Sequence, residues 1–422
     1  MLHKFLSYIP NPSEADMVAN PITENQETER TSLWELAQAF LKLGTMAFGG
    51  PAAHIAMMEQ EFVRRRGWLN EQEFLDRLAA ANLIPGPSST EMAIYIGYMR
   101  RGWPGLVVAG CCFILPAAFM VCMIAAAYVR YGALPRVGGV LYGLKPVVIA
   151  IILQAFWKLA RSAVKSNVLA MVGVLATMLC FLGANELLTL LCAGVLAGLP
   201  PLFQKLRRAR ASSGSSVSGV LISLFKFPLA NFNAKFLVGA LATAGAVAVA
   251  PFSLTRLFLT FLKIGSVLFG SGYVLLAFLR ADLVQHLHWL TEKQLLDSVA
   301  VGQITPGPVF TTVTFIGYLV GGVPGAVVAT IGIFLPGFFL VAASGPIIPR
   351  IRRSPVASAF LDGVVVGSLA LMGYVTWLGK AALVDPLTIA LAAISAVVLF
   401  SSRVNPIWIM VVAAIAGMIH GV

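Results

Sequence analysis

Long apolar stretches recur along the whole chain, separated by short polar connections. Residues 105–129, 323–343 and 386–401 are examples, each near the ~20 residues that a helix needs to cross a bilayer core. None of them shows the ten-residue alternation that marks the strands of an outer-membrane barrel. The pattern predicts an all-α polytopic membrane protein.

The apolar segments form two matching sets with one segment between them. The first set lies at about 33–58, 74–99, 103–129, 136–160, 166–182 and 186–204. The second set lies at about 254–279, 295–319, 323–349, 357–379, 383–400 and 405–421. The unmatched segment lies at about 233–251, which brings the prediction to about 13 transmembrane segments.

The two sets are related by an internal repeat. The sequence Phe-Leu-Lys-Leu-Gly at 40–44 returns as Phe-Leu-Lys-Ile-Gly at 261–265, an offset of 221 residues. Trp68, Asp76 and the Pro-Gly-Pro at 85–87 have partners at the same offset, and from Ile96 onward the offset is 220. Repeats of this length indicate a duplicated structural unit. The sequence therefore predicts two homologous halves.

The number of segments between equivalent points predicts the relative orientation of the halves. Seven segments separate them, and an odd number turns the second half over in the membrane, provided that the first two segments of each half both cross or both fail to cross. Inverted repeats of this kind enclose the substrate site of many secondary transporters near the bilayer midplane. The predicted division is a disordered cytoplasmic tail (1–31), a first repeat (32–204), a basic linker with an extra transmembrane helix (205–253) and a second repeat (254–422).

Lysine and arginine positions predict which side each connection faces. Cytoplasmic connections carry an excess of these residues, and a cytoplasmic N-terminus with an external C-terminus places most of the cations inside. The cations on the inner side are Arg100, Arg101, Lys158, Arg161, Lys165, Lys205, Arg207, Arg208, Arg210, Arg350, Arg352, Arg353 and Arg403. Those that stand against this orientation are Arg64, Arg65, Arg66, Arg130, Arg136 and Lys380.

A Pro-Gly-Pro interrupts the second apolar segment of each half, at 85–87 and 306–308. Proline removes a backbone donor and clashes with the preceding turn, and a broken helix at membrane depth survives only inside protein or beside a wet cavity. The helix that restarts offers unpaired N–H groups and the positive end of its dipole, which attract anions. A structural kink is the alternative reading, and duplication in register favours a paired anion site.

The first segment of each half also carries a lysine in apolar sequence, at Lys42 and Lys263. A cation inside a membrane segment usually faces the protein interior or a water path, although a lysine near a segment end can snorkel to the surface. The candidate substrate-binding residues are Lys42, Gly49, Gly50, Asn82, Pro85, Gly86, Pro87, Ser88, Ser89, Thr90, Lys263, Gly270, Gln303, Thr305, Pro306, Gly307, Pro308 and Thr311.

Candidate proton carriers follow the first segment. His54, Glu59 and Glu61 lie there, and intramembrane or interfacial His and Glu often relay protons. Surface charge at a helix end explains the same residues without a functional role. The sequence contains no Walker A motif and no hydrolase, zinc-protease or haem motif, so an enzyme, a cofactor and a metal site are not expected. The net charge of +12 sits between apolar runs and does not indicate nucleic-acid binding.

Several of these motifs carry a family resemblance. Phe48-Gly-Gly-Pro-Ala-Ala-His54, Glu61-Phe-Val-Arg-Arg-Arg-Gly-Trp68 and the paired Pro-Gly-Pro segments resemble the long-chain form of the chromate ion transporter family. The resemblance covers about 33–421. It implies a bacterial or archaeal inner-membrane protein that exports chromate and confers chromate resistance, with sulfate as a competing analogue. In the second half, Ser271-Gly272-Tyr273 replaces Gly50-Pro51, and no histidine stands at the position that matches His54. The two halves are therefore not expected to be equivalent in function.

Export also fits the energetics. Moving one charge through 100 mV is worth ~2.3 kcal/mol, so a dianion leaves a negative interior downhill, with proton antiport as an optional second driving force. Uptake of sulfate or molybdate is the alternative transport function, and a membrane-embedded enzyme acting on lipid phosphates is a remote one. Whether the chain forms a homodimer is left open.

Overall fold

The computed structural model describes residues 31–48, 50–132, 134–212, 252–269, 272, 274–379, 383–402 and 404–420, and within these ranges the chain is helical with no β-strand. The predicted N-terminal tail, apart from its last residue, and the extra segment at 233–251 lie outside the described residues. The candidate glycines Gly49 and Gly270 lie outside them as well.

The described part of the first half contains seven helices. They are α1 (Leu33–Met46), α2 (Gly50–Glu59, continued by a π-helix at Gln60–Arg65), α3 (Glu71–Ala81), α4 (Ser88–Tyr131), α5 (Pro135–Ala163), α6 (Asn167–Phe181) and α7 (Glu186–Ser212).

The second half repeats this order. Its helices are α8 (Leu254–Val267), α9 (Leu275–Leu279, continued by a π-helix at Arg280–His286), α10 (Glu292–Ile304), α11 (Thr312–Arg353, preceded by a 3-10 turn at Val309–Thr311), α12 (Pro355–Leu378), α13 (Pro386–Ser401) and α14 (Pro406–His420).

Equivalent helices begin with equivalent caps. The Asn70 side chain accepts the N–H of Glu73 at the start of α3, and the Glu73 side chain returns the bond to the Asn70 backbone. Thr291 and Gln294 form the same reciprocal arrangement at the start of α10. Such capping boxes satisfy two backbone donors that the first turn of a helix leaves free. They therefore begin both Pro-Gly-Pro segments at the same point of the repeat.

The first apolar segment of each half folds back on itself. The Phe40 and Phe62 rings lie 4.9 Å apart, and Arg66 forms a 2.6 Å ion pair with Glu35, so α1 and α2 run antiparallel. In the second half, Lys263 reaches Asp282 at 2.6 Å. Each first segment is therefore a helical hairpin, here called the first hairpin of its half.

The Pro-Gly-Pro segment forms a second hairpin. The guanidinium of Arg77 lies 6.0 Å from the centre of the Tyr95 ring, whereas 18 residues of continuous helix would separate these positions by ~27 Å. The Pro-Gly-Pro is the tip of this hairpin. At its far end the chain turns again at Arg101 and Gly102, where Gly102 has φ +59°.

This last turn brings two parts of α4 side by side. A Cβ on Gly97 would overlap the carbonyl oxygen of Gly105 and the side chain of Ala109, so residues 88–100 and 103–131 pack antiparallel. Only glycine permits backbones to approach so closely. In the second half, Gly317 and Gly325 make the equivalent contact in α11.

The open ends of the first-half hairpins gather at one end of the molecule. Arg100 donates to the Thr31 hydroxyl at 2.8 Å and lies over the Trp68 ring at 5.5 Å, close to the pair of Arg66 with Glu35. Residues 31–35, 66–68 and 100 are therefore neighbours, and neither hairpin carries the chain across to the opposite end.

The long apolar helices follow the hairpins. Five helices are long and apolar enough to cross a membrane, namely Ser88–Tyr131, Gly138–Ala163, Glu186–Gln204, Val309–Ser344 and Pro355–Leu378. Three shorter apolar helices, Asn167–Phe181, Pro386–Ser401 and Pro406–His420, accompany them. These findings show a multi-pass helical protein. The predicted count of about 13 crossings stays a prediction, and the hairpins reduce the number of first and second segments that could cross.

The halves interlock through glycine contacts. A Cβ on Gly143 of α5 would strike the carbonyl of Ala413 in α14, and one on Gly363 of α12 would strike the carbonyl of Ala193 in α7. Long helices of each half thus pack against long helices of the other half. The core that results is continuous across the repeat boundary.

Candidate functional site

The two Pro-Gly-Pro tips are sharp turns that depend on their glycines. Gly86 has φ +136° and Gly307 has φ +94°, which is backbone that residues with a Cβ rarely adopt. Pro87, Pro306 and Pro308 are buried and Pro85 is half-buried. The predicted helix breaks are present, and they lie within the protein.

Each tip is hydrogen-bonded to the first hairpin of the opposite half. The amide of Gly86 donates to the carbonyl of Leu268 at 2.8 Å, and the amide of Gly307 donates to the carbonyl of Ala47 at 2.9 Å. Leu268 and Ala47 are equivalent positions at the C-terminal ends of α8 and α1. The glycine amides, predicted as anion donors, are thus occupied by helix-end carbonyls that need a partner.

The donors that remain belong to the restarting helix of the first half. The amides of Ser88 and Ser89 stand in the first turn of α4, where a helix provides no internal acceptor. Ser89 and Thr90 are buried, and the Thr90 hydroxyl has no hydrogen-bond partner among the described residues. This end of α4 combines N–H groups that have no acceptor within the helix with a hydroxyl that has no partner in the described part of the chain.

The second half is arranged differently. Thr311 donates its hydroxyl hydrogen to the carbonyl of Pro308 at 2.8 Å, and Thr312 donates to the carbonyl of Val309 at 2.8 Å. Thr305 likewise donates to the carbonyl of Val301. The candidate hydroxyls of this half are buried but engaged with local backbone, so the two tips are chemically unequal.

His54 connects these elements. It is buried, its Nε2 lies 3.1 Å from the Ala47 carbonyl, and its Nδ1 lies 3.2 Å from the Ser89 hydroxyl. Because a carbonyl can only accept, Nε2 carries a hydrogen, and in the neutral ring Nδ1 accepts from Ser89. The same Ala47 carbonyl accepts the amide of Gly307. One imidazole therefore joins the first hairpin, the start of α4 and the tip of the other half.

Glu91 lies one turn into α4 and was not among the residues that sequence reasoning selected. Its side chain is fully buried, and neither carboxyl oxygen has a hydrogen-bond partner among the described residues. A Cβ on Gly86 would overlap its Oε1, so the carboxyl lies against the Pro-Gly-Pro tip. A lone acidic residue in apolar sequence just after a helix break was the signal available to find it.

The two candidate lysines do not join the tips. Lys42 is exposed, and Lys263 is paired with Asp282 at 2.6 Å. Glu61 follows Lys42 at the same spacing of 19 residues, but it is paired with Arg65 and Arg66 instead of the lysine. The second half has no arginine at the two matching positions.

The acidic candidates lie at the open end of the first hairpin. Glu59 pairs with Arg64 at 2.9 Å, and Glu61 is held by Arg65 and Arg66. Burial alone would raise the pKa of Glu61, but the hydrogen bonds and charges of these two arginines outweigh it and hold that pKa below its ordinary value. Both carboxylates are tied in ion pairs away from the tips.

The amide candidates and Gly50 are scattered. Asn82 is exposed and Gly50, at the start of α2, is half-buried. The Gln303 Nε2 is buried and has no partner among the residues that the structure describes, beside a cavity of about 10 Å³ lined by Gly272, Val309 and others. That volume is the size of about one water molecule.

An ion pair joins the second Pro-Gly-Pro hairpin to the first half. Asp297 is fully buried, with Lys145 at 2.8 Å from one carboxyl oxygen and the Tyr128 hydroxyl donating to the other at 2.9 Å. Its repeat counterpart, Asp76, is exposed. The matched aspartates of the sequence therefore occupy different environments.

Two further features bear on what the molecule could hold. A groove of about 1010 Å³ between α5, α6 and α12 has no charged side chain in its lining, so it does not suit an anion. Among the described residues no three His, Cys, Asp or Glu side chains cluster as metal ligands would.

Comparison with known proteins gives a consistent result. A family model described as chromate transporter matches residues 34–199 and again 255–418. The chromate transport protein of Cupriavidus metallidurans is 33% identical over 397 residues, which cover 92% of this chain and 93% of that protein. A probable chromate transport protein of Synechococcus elongatus is 35% identical over 399 residues, covering 92% and 95%. An uncharacterized transporter of the archaeon Methanocaldococcus jannaschii is 25% identical over 366 residues, covering 85% and 89%. No solved structure matches the chain significantly.

Proposed function

The chain belongs to the chromate transporter family, and from that premise we propose that it exports chromate across the inner membrane of a bacterium or archaeon as a secondary transporter. The observation that carries the proposal is the pairing of the Pro-Gly-Pro tips with the opposite half. That arrangement puts two helix breaks inside the protein, where broken helices bind ions in other transporters.

We propose further that the halves are inverted. A Cβ on Gly337 would lie 3.9 Å from the Glu91 side chain, and Tyr95 bonds Ser344, so residues 88–100 run parallel to residues 323–353. Residues 103–131 run antiparallel to 88–100 because of the close contact at Gly97. The equivalent stretches 103–131 and 323–353 therefore point in opposite directions, which supports an inverted repeat.

The positions of the arginines at the open ends of the hairpins also favour a cytoplasmic N-terminus. Arg66 and Arg100 lie at the same end as Thr31, and the neighbouring Arg64, Arg65 and Arg101 follow them. The arginines at 64–66 would face the outside if the first segment crossed the membrane. If the segment returns as a hairpin, they face the same side as the N-terminus and agree with this orientation. The positive-inside rule then favours this end as cytoplasmic.

We propose that the anion binds at the start of α4. The free amides of Ser88 and Ser89 and the unused Thr90 hydroxyl are neutral donors at the positive end of a helix dipole. Lys42, which is exposed, is retained as a contributor to the outer part of the path, and Thr311 as a buried candidate of the second tip, where its hydroxyl is bonded to the Pro308 carbonyl. Sulfate, which has the same shape and charge as chromate, would compete at such a site.

The moving parts are proposed to be the hairpins. The long helices of the two halves are locked together at Gly143 and Gly363, which disfavours rocking of one half against the other. Each tip makes one backbone hydrogen bond to the opposite half, with a net value of about 1 kcal/mol, and the second hairpin is tied further by the pair of Asp297 with Lys145. Exchange of these bonds could open the site to one side at a time.

The driving force is the membrane potential. A dianion leaving the cell gains about 4.6 kcal/mol per 100 mV at ~2.3 kcal/mol per charge, so no ATP is required. A proton that enters in exchange for the anion, as in antiport, would add to this gain, whereas a proton that leaves with the anion would halve it.

Chromate accumulation in cells tests the site. Cells that express Thr90→Ala, which removes the unused hydroxyl, Ser89→Ala or Lys42→Ala at matched protein levels should accumulate more chromate than cells with the wild-type protein. Ser401→Ala is the control, because the Ser401 hydroxyl is exposed and bonds only to its own helix. Wild-type accumulation in all three site variants would discard the proposed site.

A further inference from the structure

Glu91 is the one acidic side chain that the described structure places against a Pro-Gly-Pro tip. It is the fourth residue of α4, it is fully buried, and neither of its carboxyl oxygens has a hydrogen-bond partner within the described ranges. Buried polar groups in proteins are almost always hydrogen-bonded. A carboxyl without a partner beside a helix start therefore calls for a ligand.

Among the described residues, no cation forms an ion pair with Glu91. From the first hairpin, His54 faces this region and is bonded to Ser89. From α3, Arg77 lies over the Tyr95 ring. From α11 of the other half, Gly337 faces the Glu91 side chain, which a Cβ at that glycine would approach to 3.9 Å. On α4 itself, the Tyr95 hydroxyl lies one turn beyond Glu91 and is bonded to Ser344 of α11.

This environment decides the charge that Glu91 can carry. An ionised carboxylate that is buried, unpaired and without hydrogen bonds is strongly disfavoured, whereas a protonated carboxyl is neutral and gains one donor. A proton on Glu91 would leave an O–H group free beside the amides of Ser88 and Ser89.

We propose that Glu91 carries a proton that must be present for an oxyanion to bind at the start of α4, so that proton and anion occupy the site together. The proposal rests on the proposed function. The Glu91 O–H donates a hydrogen bond to an anion oxygen, next to the neutral donors already described. Loss of the proton leaves a carboxylate within one helical turn of a dianion, which repels the anion and favours its release.

The proton balance of this step is simple. No covalent bond to the anion forms or breaks. One proton enters from water with the anion, stays on the Glu91 oxygen while the anion is bound, and returns to water when the site opens. A dianion then moves with one positive charge, so one net negative charge crosses in each cycle.

The second half has no equivalent carboxyl. At offsets of 220 and 221 the counterparts of Glu91 are Thr311 and Thr312, and both hydroxyls are bonded to local backbone. The proton-linked step therefore belongs to the first half alone, which agrees with the unequal chemistry of the two tips.

Binding of sodium chromate to the purified full-length protein, measured by titration calorimetry on the alkaline side of neutrality, tests the proposal. The wild-type affinity should fall by about tenfold per pH unit once Glu91 loses its proton, and binding should take up about one proton per anion. Glu91→Gln, which keeps a neutral donor, should bind chromate with no such pH dependence and no proton uptake. Glu91→Asp should restore both.

Asp76→Asn is the matched control, because it removes an exposed carboxylate from the same hairpin and should leave the wild-type profile unchanged. Each variant is compared with wild type at the same pH. Protonation of chromate itself then affects both measurements equally and cancels in the comparison. A Glu91→Gln protein with the wild-type pH slope would overturn the proposal. If that variant does not fold, wild-type binding without proton uptake overturns it instead. A wild-type protein that binds no chromate at any pH would refute the proposed function itself.

Discussion

Removal of Lys145 should destabilise the protein more than removal of its partner Asp297. Asp297 is fully buried, whereas the Lys145 side chain keeps 15% of its surface exposed. Lys145→Met leaves a carboxylate in the interior with only the Tyr128 hydroxyl to stabilise it. Asp297→Asn leaves a cation that is not fully buried and keeps an acceptor for Tyr128.

The magnitude follows from the cost of an unpaired buried charge. Breaking a buried ion pair by removing one partner costs about 3–5 kcal/mol, and we expect Lys145→Met to fall in this range. Asp297→Asn should cost less, about 1–3 kcal/mol, the range for a weakened buried hydrogen-bond network. The double variant should be more stable than Lys145→Met alone because no charge remains.

All three variants are compared with wild type by their free energy of unfolding in mixed detergent micelles. Asp76→Asn is the control from the repeat, and as an exposed substitution it should change stability by less than about 0.5 kcal/mol. The reasoning is refuted if Lys145→Met also stays within about 0.5 kcal/mol of wild type, or if the double variant is the least stable of the set.

Two further predictions concern the tips and the hairpins. Gly307→Ala should destabilise the protein by about 2–5 kcal/mol, the sum of left-handed backbone strain and overpacking, because its Cβ would lie 2.6 Å from that of Ala117. Gly138→Ala, whose Cβ would meet nothing within 4 Å, should be neutral or slightly stabilising in the same unfolding assay. Equal destabilisation by Gly307→Ala and Gly138→Ala would contradict this expectation. In a background without native cysteines, a membrane-impermeant thiol reagent added to intact cells should label Leu182→Cys and spare Gln72→Cys. Labelling of Gln72→Cys alone would show that the hairpin ends face outward.

Much of the fold follows from the sequence, and the hairpins show where sequence reasoning stops. The repeat and the Pro-Gly-Pro breaks are local patterns, and the structure contains them. Whether a stretch such as 33–58 crosses or returns depends on which residues pack together. An apolar run of ~25 residues fits either outcome. The Gly97–Gly105 contact that reverses α4 is visible only once the chain is folded.

The candidate site shows the same division. The serines and threonines after each break were predicted, because helix starts follow from Pro-Gly-Pro. The use of the Gly86 and Gly307 amides by carbonyls of the other half could not be predicted, because it is a long-range pairing. The two lysines were chosen because they are cations in apolar sequence. Lys263 pairs with Asp282 because the first hairpin of the second half has no arginines at the positions that match Arg65 and Arg66 to compete for that carboxylate. Glu91 was missed because it has no acidic counterpart in the repeat.

Flux of radiolabelled chromate into proteoliposomes, with the membrane potential set by an ionophore, tests the central claim most directly. The account predicts that vesicles with an interior-positive potential accumulate chromate, that reversal of the potential abolishes accumulation, and that external sulfate slows the flux. Folded, reconstituted protein that moves no chromate under either potential would contradict the account.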